Sequence, residues 1–279
     1  GAHCFTYKDG KLSVERYYRI RYRIEDDKSL EYWEDAIQKE FEESVAMHQI
    51  SDVEVGCFLS SGVDSSYVVK EISKGTKKVK TFSVGYTEEK YSELPYAQEF
   101  SKAVGVENIS NKVSADEFFD AVPLIQYMLD EPLPNPSEIP LYFLAKNARK
   151  YVKVVLSGEG ADELFGGYPM YLQGGHFAQY SRKVPRPVRK LAGGVAKHMP
   201  EFKGKHFIIR GGMEPYQRFM RANYVFADPT ERQKYLKRPI TSKLPEEYSK
   251  RYFDEVKDLD EPTQLQYVDM HTWMIYDIL

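Results

Sequence analysis

Hydrophobic positions change period several times along the chain, and each change marks an element. Residues 5–24 alternate apolar with polar, which suits a short β-hairpin turning at Asp9-Gly10. From Leu30 the spacing lengthens. Trp33, Ile37, Phe41 and Val45 recur every fourth residue and predict an amphipathic helix over 30–48. Short apolar runs then alternate with helical segments. Strands are expected over 54–59, 78–84 (ended by Gly85), 107–113 and 152–156, and helices over about 65–74, 91–104, 115–130 and 138–150. Pro132, Pro134 and Pro136 separate the last two helices. Beyond Gly175 the chain reads as polar, Tyr- and Arg-rich helical segments with loops near 182–187, 192–195 and 203–212. A final helical run is expected from Leu265 to Leu279.

Strands that alternate with helices imply right-handed crossovers and a parallel sheet covered on both faces. The expected class is therefore α/β, a parallel sheet flanked by helices, followed by a helical C-terminal part. In such sheets ligands sit beyond the carboxyl ends of the strands. Both Gly-containing turns, at 60–62 and 157–160, fall at strand ends on this reading.

Composition narrows the class further. The chain has 279 residues, 42% hydrophobic, with 39 basic and 42 acidic side chains and a net charge of −3. That balance offers no global electrostatic case for nucleic acid or an anionic membrane surface. No stretch approaches the roughly 18–20 apolar residues of a membrane span. A soluble, cytoplasmic chain is the expectation, with no signal-like start. Cys4 and Cys57 are too few for a disulfide framework, and the six histidines lack ligand spacing. The basic run from Arg182 to Lys190 reads as a solvated loop. The start at Gly-Ala-His-Cys and the stop at Leu279, on an uncapped apolar turn, suggest a fragment of something longer.

The first candidate chemistry lies at Cys57-Phe58-Leu59-Ser60-Ser61-Gly62-Val63-Asp64-Ser65-Ser66. A strand, a tight turn of small residues and a helix start let backbone N–H groups point at an anion, with the helix dipole behind them. The hydroxyls of Ser60, Ser65 and Ser66 add donors. Asp64 beside a phosphate is repulsive unless a cation bridges them, and Mg²⁺ held by Asp64 and phosphate oxygens removes the conflict. On spacing alone, an ordinary helix N-cap at Asp64 or Ser65 accounts for the same residues.

The second candidate, Ser157-Gly158-Glu159-Gly160-Ala161-Asp162-Glu163-Leu164-Phe165-Gly166-Gly167-Tyr168, is more distinctive. Four glycines and three acids follow a buried strand within eleven residues. Backbone exposed at Ser157 and Gly158 offers hydrogen bonds to an adenine or an anion. Glu159, Asp162 and Glu163 make the segment strongly negative unless a metal or a cationic group compensates. Capping by Asp162 and Glu163 in a helix's first turn is the simpler reading, but capping does not call for so many glycines.

The first segment resembles the Ser-Gly-Gly-x-Asp-Ser loop of the PP-loop ATP pyrophosphatases (adenine nucleotide alpha hydrolase-like), with Ser61 in place of the first Gly. A seryl side chain pointing away leaves the backbone cradle usable. The second segment closely resembles the hallmark Leu-Ser-Gly-Glu-Gly-x-Asp-Glu-x-Phe-Gly-Gly-Tyr of the glutamine-hydrolysing asparagine synthetase family. Phe82-Ser83-Val84-Gly85 fits that family's second-strand ATP segment, and Tyr17 with the residues after it resembles its interdomain linker.

The resemblance implies ATP-dependent amidation of aspartate through β-aspartyl-AMP, with ATP and Mg²⁺ as cofactors and ammonia derived from glutamine. It implies that Leu59, Ser60, Val84, Ser157 and Gly158 hold the adenosine part of ATP, with Gly62 and Ser65 at the leaving pyrophosphate. Asp64 and Asp162 would ligate Mg²⁺, Glu159 would assist formation or breakdown of the acyl-adenylate, and Tyr168 would lie near that intermediate. It divides the chain at 1–29, the end of a glutaminase domain and a linker, and 30–279, a synthetase domain cut short at its C-terminus. The catalytic cysteine of a glutaminase is absent from the start, so that domain is expected as a partner from the parent chain; a homo-oligomer is compatible with the sequence. Two alternatives stay open: another carboxylate-adenylating enzyme of the β-lactam synthetase kind, and a nucleotide-binding module without turnover. Glu159 and the Phe165-Gly166-Gly167-Tyr168 ending argue against the first.

Overall fold

The structure, a computed structural model, describes residues 2–25, 27–75, 78–130, 135–219, 233–239 and 245–275. The chain divides into two compact units: Ile24–Glu159, and Gly1–Arg23 together with Gly160–Leu279.

The hairpin comes first. β1 (His3–Lys8) and β2 (Lys11–Arg16) pair antiparallel, with Phe5 opposite Val14 and Tyr7 opposite Leu12. Asp9 (φ 50°) and Gly10 (φ 76°) are both left-handed, as a two-residue turn between right-twisted strands requires. Pairing stops at Arg16 rather than continuing to 24. Alternation sets which face a residue takes, but a ladder needs a partner, and β1 begins only at His3.

The Ile24–Glu159 unit is the α/β part. Its elements are α1 (Leu30–His48), β3 (Val55–Phe58), α2 (Val63–Gly75), β4 (Lys80–Tyr86), α3 (Leu94–Val104), β5 (Glu107–Val113), α4 (Ala115–Leu129), α5 (Glu138–Ala148) and β6 (Val154–Leu156). Ser29 starts α1 by accepting a bond from Tyr32 N–H, and Ser114 with Glu117 forms a capping box at α4. The four strands are parallel in the order β5-β4-β3-β6. One core cluster holds Val45, Cys57, Leu59, Val69, Ile72 and Ala97; a second holds Phe82, Ala148 and Val152. They draw on α1–α3 and on α5 respectively, so helices contribute core to the sheet from separate clusters, as a buried parallel sheet demands.

Two expectations change here. β4 does not end at Gly85 but runs through it to Tyr86, with Gly85 paired to Lys112. The glycine serves packing instead, since a Cβ there would stand 2.5 Å from Ser92 Oγ and Leu94 Cγ. The helix expected from 91 begins at Leu94, after a short 3₁₀ turn over Glu89–Tyr91. Pro132 and Pro134 lie outside the described residues.

Beyond Gly160 the regular elements among the described residues are helices: α6 (Ala161–Phe165), α7 (Pro169–Lys183), α8 (Arg186–Lys197), α9 (Lys205–Gly211), α10 (Pro215–Arg218), α11 (Pro245–Glu255) and α12 (Glu261–His271). The loops expected near 192–195 and 203–212 are mostly helix. Gly193 sits inside α8 because a Cβ there would press to 3.3 Å on the carbonyls of Ile208 and Ile209 in α9. Glycine allows the two backbones to approach; it does not break the helix. The basic run is not a free loop either. Arg189 Nε and Nη1 donate to the carbonyls of Val184 (3.0 Å) and Gly211 (2.7 Å), and Arg186 pairs with Glu214 at 2.7 Å. The last helix starts at Glu261, capped by Asp260, earlier than expected; residues 276–279 fall outside the described residues. Tyr171, Phe219, Phe253, Leu265 and Val268 form the core of this unit. Among the described residues no helix is long and apolar enough to cross a membrane.

Candidate functional site

β3 lies between β4 and β6, with Val55 opposite Val154 and Cys57 opposite Leu156. The chain leaves β3 to build β4 and β5 on one side, then returns to place β6 on the other. The strand order therefore reverses between β3 and β6, where open α/β sheets carry a ligand crevice at the strands' carboxyl ends. Both candidate turns leave from those two ends.

The first turn is anchored at Leu59. Its N–H donates to Phe82 O (2.9 Å), and its carbonyl accepts from the buried Ser83 hydroxyl (2.7 Å). Asn108 of β5 donates to Ser83 Oγ (2.9 Å) and to Thr81 Oγ1 (3.0 Å), so a polar chain through three strands holds the root of the loop. Burying these groups is tolerable because each finds a partner.

Beyond Leu59 the loop braces itself. Ser60 N–H donates to Ser65 Oγ (3.1 Å), the two hydroxyls lie 2.9 Å apart, and Gly62 N–H donates to Ser60 Oγ (3.0 Å). Ser61 turns outward, its N–H (3.3 Å) and hydroxyl (2.8 Å) both donating to Glu93 Oε2. α2 starts directly after, and its first-turn N–H groups have no partner within the helix. Asp64 is exposed in that first turn.

The second turn rests on the first. A Cβ at Gly158 would stand 2.8 Å from Ser65 N and 2.9 Å from Asp64 C and Cβ. Only glycine permits this approach, which sets the backbone after β6 against the start of α2. Ser157 Oγ accepts from Glu159 N–H (3.4 Å) and thereby shapes the turn. Val84, half-buried, occupies the same end of the neighbouring strand β4.

The unit boundary falls between Glu159 and Gly160. Leu59, Ser60, Gly62, Asp64, Ser65, Val84, Ser157, Gly158 and Glu159 thus belong to the α/β unit, and the turn contacts bring together Ser60, Gly62, Asp64, Ser65 and Gly158. Asp162 and Tyr168 belong to the helical unit. There, Gly160 (φ 89°) and Gly166 (φ 71°) bracket the single turn of α6 in left-handed conformations that favour glycine. A Cβ at Gly167 would come within 1.9 Å of Asp162 Oδ1, so this glycine makes room for the Asp162 carboxylate. Tyr168 donates to the fully buried Glu163 (2.9 Å), and Gln266 of α12 donates to Glu163 O (3.0 Å).

Sequence reasoning placed Ser83 only within the Phe82–Gly85 segment, without its role in anchoring Leu59, and missed Asn108 and Glu93. Ser83 carried a signal, a polar residue inside an apolar strand; Glu93 carried none. Among the described residues no three His, Cys, Asp or Glu side chains form a protein-only metal site. Cys57 is fully buried and burial pushes its thiol up to about 12, so it is inert.

The chain matches the family profile described as Asparagine synthase over residues 36–279. It is 38% identical over 275 residues to Asparagine synthetase [glutamine-hydrolyzing] 1 of Bacillus subtilis, covering 97% of this chain and 43% of the relative. A Putative asparagine synthetase [glutamine-hydrolyzing] of Mycobacterium tuberculosis is 36% identical over 253 residues, covering 88% of this chain and 37% of that protein. Asparagine synthetase [glutamine-hydrolyzing] 1 of Arabidopsis thaliana is 28% identical over 169 residues, 56% of this chain and 29% of its own length. The chain spans less than half the length of these curated relatives. With two glycine turns on adjacent parallel strands, and a match that runs through both, the chain belongs to the asparagine synthase family.

Proposed function

We propose that this chain binds ATP and aspartate, adenylates the aspartate side chain with loss of pyrophosphate, and delivers the activated carbonyl to ammonia, which displaces AMP to form asparagine. One observation carries the proposal: the two turns meet at the switch point, with Gly158 against the first turn of α2. Leu59, Ser60, Val84, Ser157 and Gly158 hold the adenosine part, and the braced loop with Gly62 and Ser65 faces the pyrophosphate. A carboxylate and a phosphate, both anionic, resist approach, so aspartate's attack on the α-phosphate needs neutralised charge and fixed alignment. Glycine turns supply alignment because backbone can close on the nucleotide where a side chain cannot. Glu159 accepts a proton as ammonia attacks.

The residues fit Mg²⁺. This ion keeps several waters and takes one or two carboxylates plus phosphate oxygens, so a protein-only cage is not required. Asp64, exposed at the helix start, suits that role, and bound Mg²⁺ supplies charge neutralisation on the pyrophosphate. Asp162 as second ligand and Tyr168 beside the acyl-adenylate enter on the motif alone.

Ammonia derived from glutamine requires a glutaminase partner. The hairpin supports one, because Phe5, Tyr7, Leu12 and Val14 share a face and are 60–74% exposed. The test is pyrophosphate release from ATP and Mg²⁺ with ammonium, with and without aspartate. It is run on the chain and on a chimaera bearing the flanking segments of the Bacillus subtilis relative. Release should depend on aspartate and vanish in Asp64→Asn. Release indifferent to aspartate overturns the substrate, and a fully active Asp64→Asn overturns the metal role.

A further inference from the structure

We propose that Glu93 is a positioning residue for the phosphate loop, holding the Ser61 hydroxyl out of the cradle so that a loop with serine in a glycine position still accepts the nucleotide. This deepens the ATP-binding reading above and rests on it.

A hydroxyl at position 61 is a problem for an anion loop. Free to rotate, it can fill the space that a phosphate oxygen needs, or bond to neighbouring loop groups and change the loop's shape. Glu93 removes that freedom. A single oxygen, Oε2, accepts from both the Ser61 hydroxyl at 2.8 Å and the Ser61 N–H at 3.3 Å. The adjoining donors are already committed inside the loop, Ser60 N–H to Ser65 Oγ and Gly62 N–H to Ser60 Oγ. Ser61 is thus tied through both its N–H and its hydroxyl to a separate segment, and the tie is charge-assisted.

The partner segment is itself seated by close packing. Glu93 precedes α3, immediately after Ser92, and bare Gly85 lets Ser92 and Leu94 approach the end of β4. Glu93 occupies the N-cap position of α3 yet makes no side-chain capping bond to its own helix. A carboxylate near a phosphate site is otherwise unfavourable. Spending it on two donors from Ser61 accounts for its presence there. Serine at 61 and glutamate at 93 therefore form one device, and with glycine at 61 the glutamate would have no hydroxyl to hold and would keep only the longer backbone N–H bond.

A double-mutant cycle on the full chain tests this, read by equilibrium binding of ATP with Mg²⁺ and by KM for ATP against kcat. Glu93→Ala should weaken ATP binding and raise its KM by about tenfold or more, the scale of one charge-assisted hydrogen bond, with kcat changed less than about twofold. In the Ser61→Gly background the same substitution should change binding by no more than about twofold. Glu93→Gln keeps an acceptor oxygen and should stay nearer to the parent than Glu93→Ala. Amide exchange at residue 61 without nucleotide should speed up several-fold in Glu93→Ala, a readout independent of activity.

An equal loss in both backgrounds overturns the proposal, as does unaltered ATP binding in Glu93→Ala. If the parent chain binds no ATP at all, the nucleotide reading falls and takes this role with it. If the parent binds ATP but the cycle shows no coupling, only the role of Glu93 falls.

Discussion

Gly158→Ala probes the contact on which the candidate site is built. The new Cβ would lie 2.8 Å from Ser65 N and 2.9 Å from Asp64 C, whereas ordinary contact begins near 3.4 Å. One turn must therefore retreat by about 0.6 Å, and because the atoms met are mostly backbone, no rotamer change absorbs the clash. Overpacking of this kind costs about 1–3 kcal/mol. In a unit of this size each kcal/mol corresponds to roughly 2–4 °C in Tm. The functional effect should be larger, since misplacing a site by about 1 Å can cost on the order of a hundredfold. A shift of about half that should lower kcat/KM for ATP by roughly tenfold or more. Urea denaturation and pyrophosphate release on the same preparations separate the two effects. Gly194→Ala in α8 is the control, for its Cβ meets nothing within 4 Å and a helical Gly→Ala should stabilise by about 0.5–1 kcal/mol. If Gly158→Ala matches the parent in both midpoint and ATP dependence, the second turn does not rest on the first and the site geometry is wrong.

Gly167→Ala should push the Asp162 carboxylate from its place, because the added Cβ would overlap Oδ1 at 1.9 Å; a Mg²⁺ titration of turnover should shift to higher metal concentration, and an unmoved curve removes Asp162 from metal binding. Arg218 and Glu261 form a buried pair, with Nε donating to Oε1 at 2.7 Å and side chains 4% and 7% exposed. Arg218→Met leaves the carboxylate buried without its partner and should cost about 3–5 kcal/mol in chemical denaturation. His271 is half-buried, and burial together with the Arg16 guanidinium lowers its pKa below the ordinary value, against a bond to Tyr267 O that raises it. The unfolded chain then binds the proton more readily, so this group's contribution to stability is present above about pH 6.5 and is lost as pH falls below that value toward the lowered folded pKa. His271→Gln should flatten the stability–pH slope in that window; an unchanged slope assigns the acid sensitivity to other groups.

Much of the fold was legible because it is local. The four-residue recurrence of Trp33, Ile37, Phe41 and Val45 marked α1, and Asp9-Gly10 marked the hairpin turn. Apolar runs without alternation marked the strands; β3 and β4 are largely buried, whereas β6, read as a buried strand, leaves Val154 exposed and Val155 and Leu156 half-buried. The errors share a cause. Gly85 and Gly193 read as breaks, yet both sit inside elements, because glycine permits close approach as readily as it permits a turn, and local sequence does not distinguish the two. The basic run read as a solvated loop; Arg182, Lys183, Arg186 and Lys190 are exposed, but most of the run is helix and Arg189 reaches carbonyls on either side of α8.

By itself the sequence determined the element pattern, the strand–turn–helix form of the first loop and the glycine and acid spacing of the second. All of these depend on residues within about a dozen positions of one another, where backbone sterics and side-chain periodicity act. The tertiary structure alone decided that β6 lies beside β3, although about a hundred residues separate them, and so set the strand reversal between the two candidate turns. It also decided that Gly158 touches the start of α2 and that Ser61 answers to Glu93. Those contacts join segments distant in sequence, and they exist only once burial of the sheet fixes the strand order. The residue types suggested a nucleotide; their meeting is a property of the folded sheet.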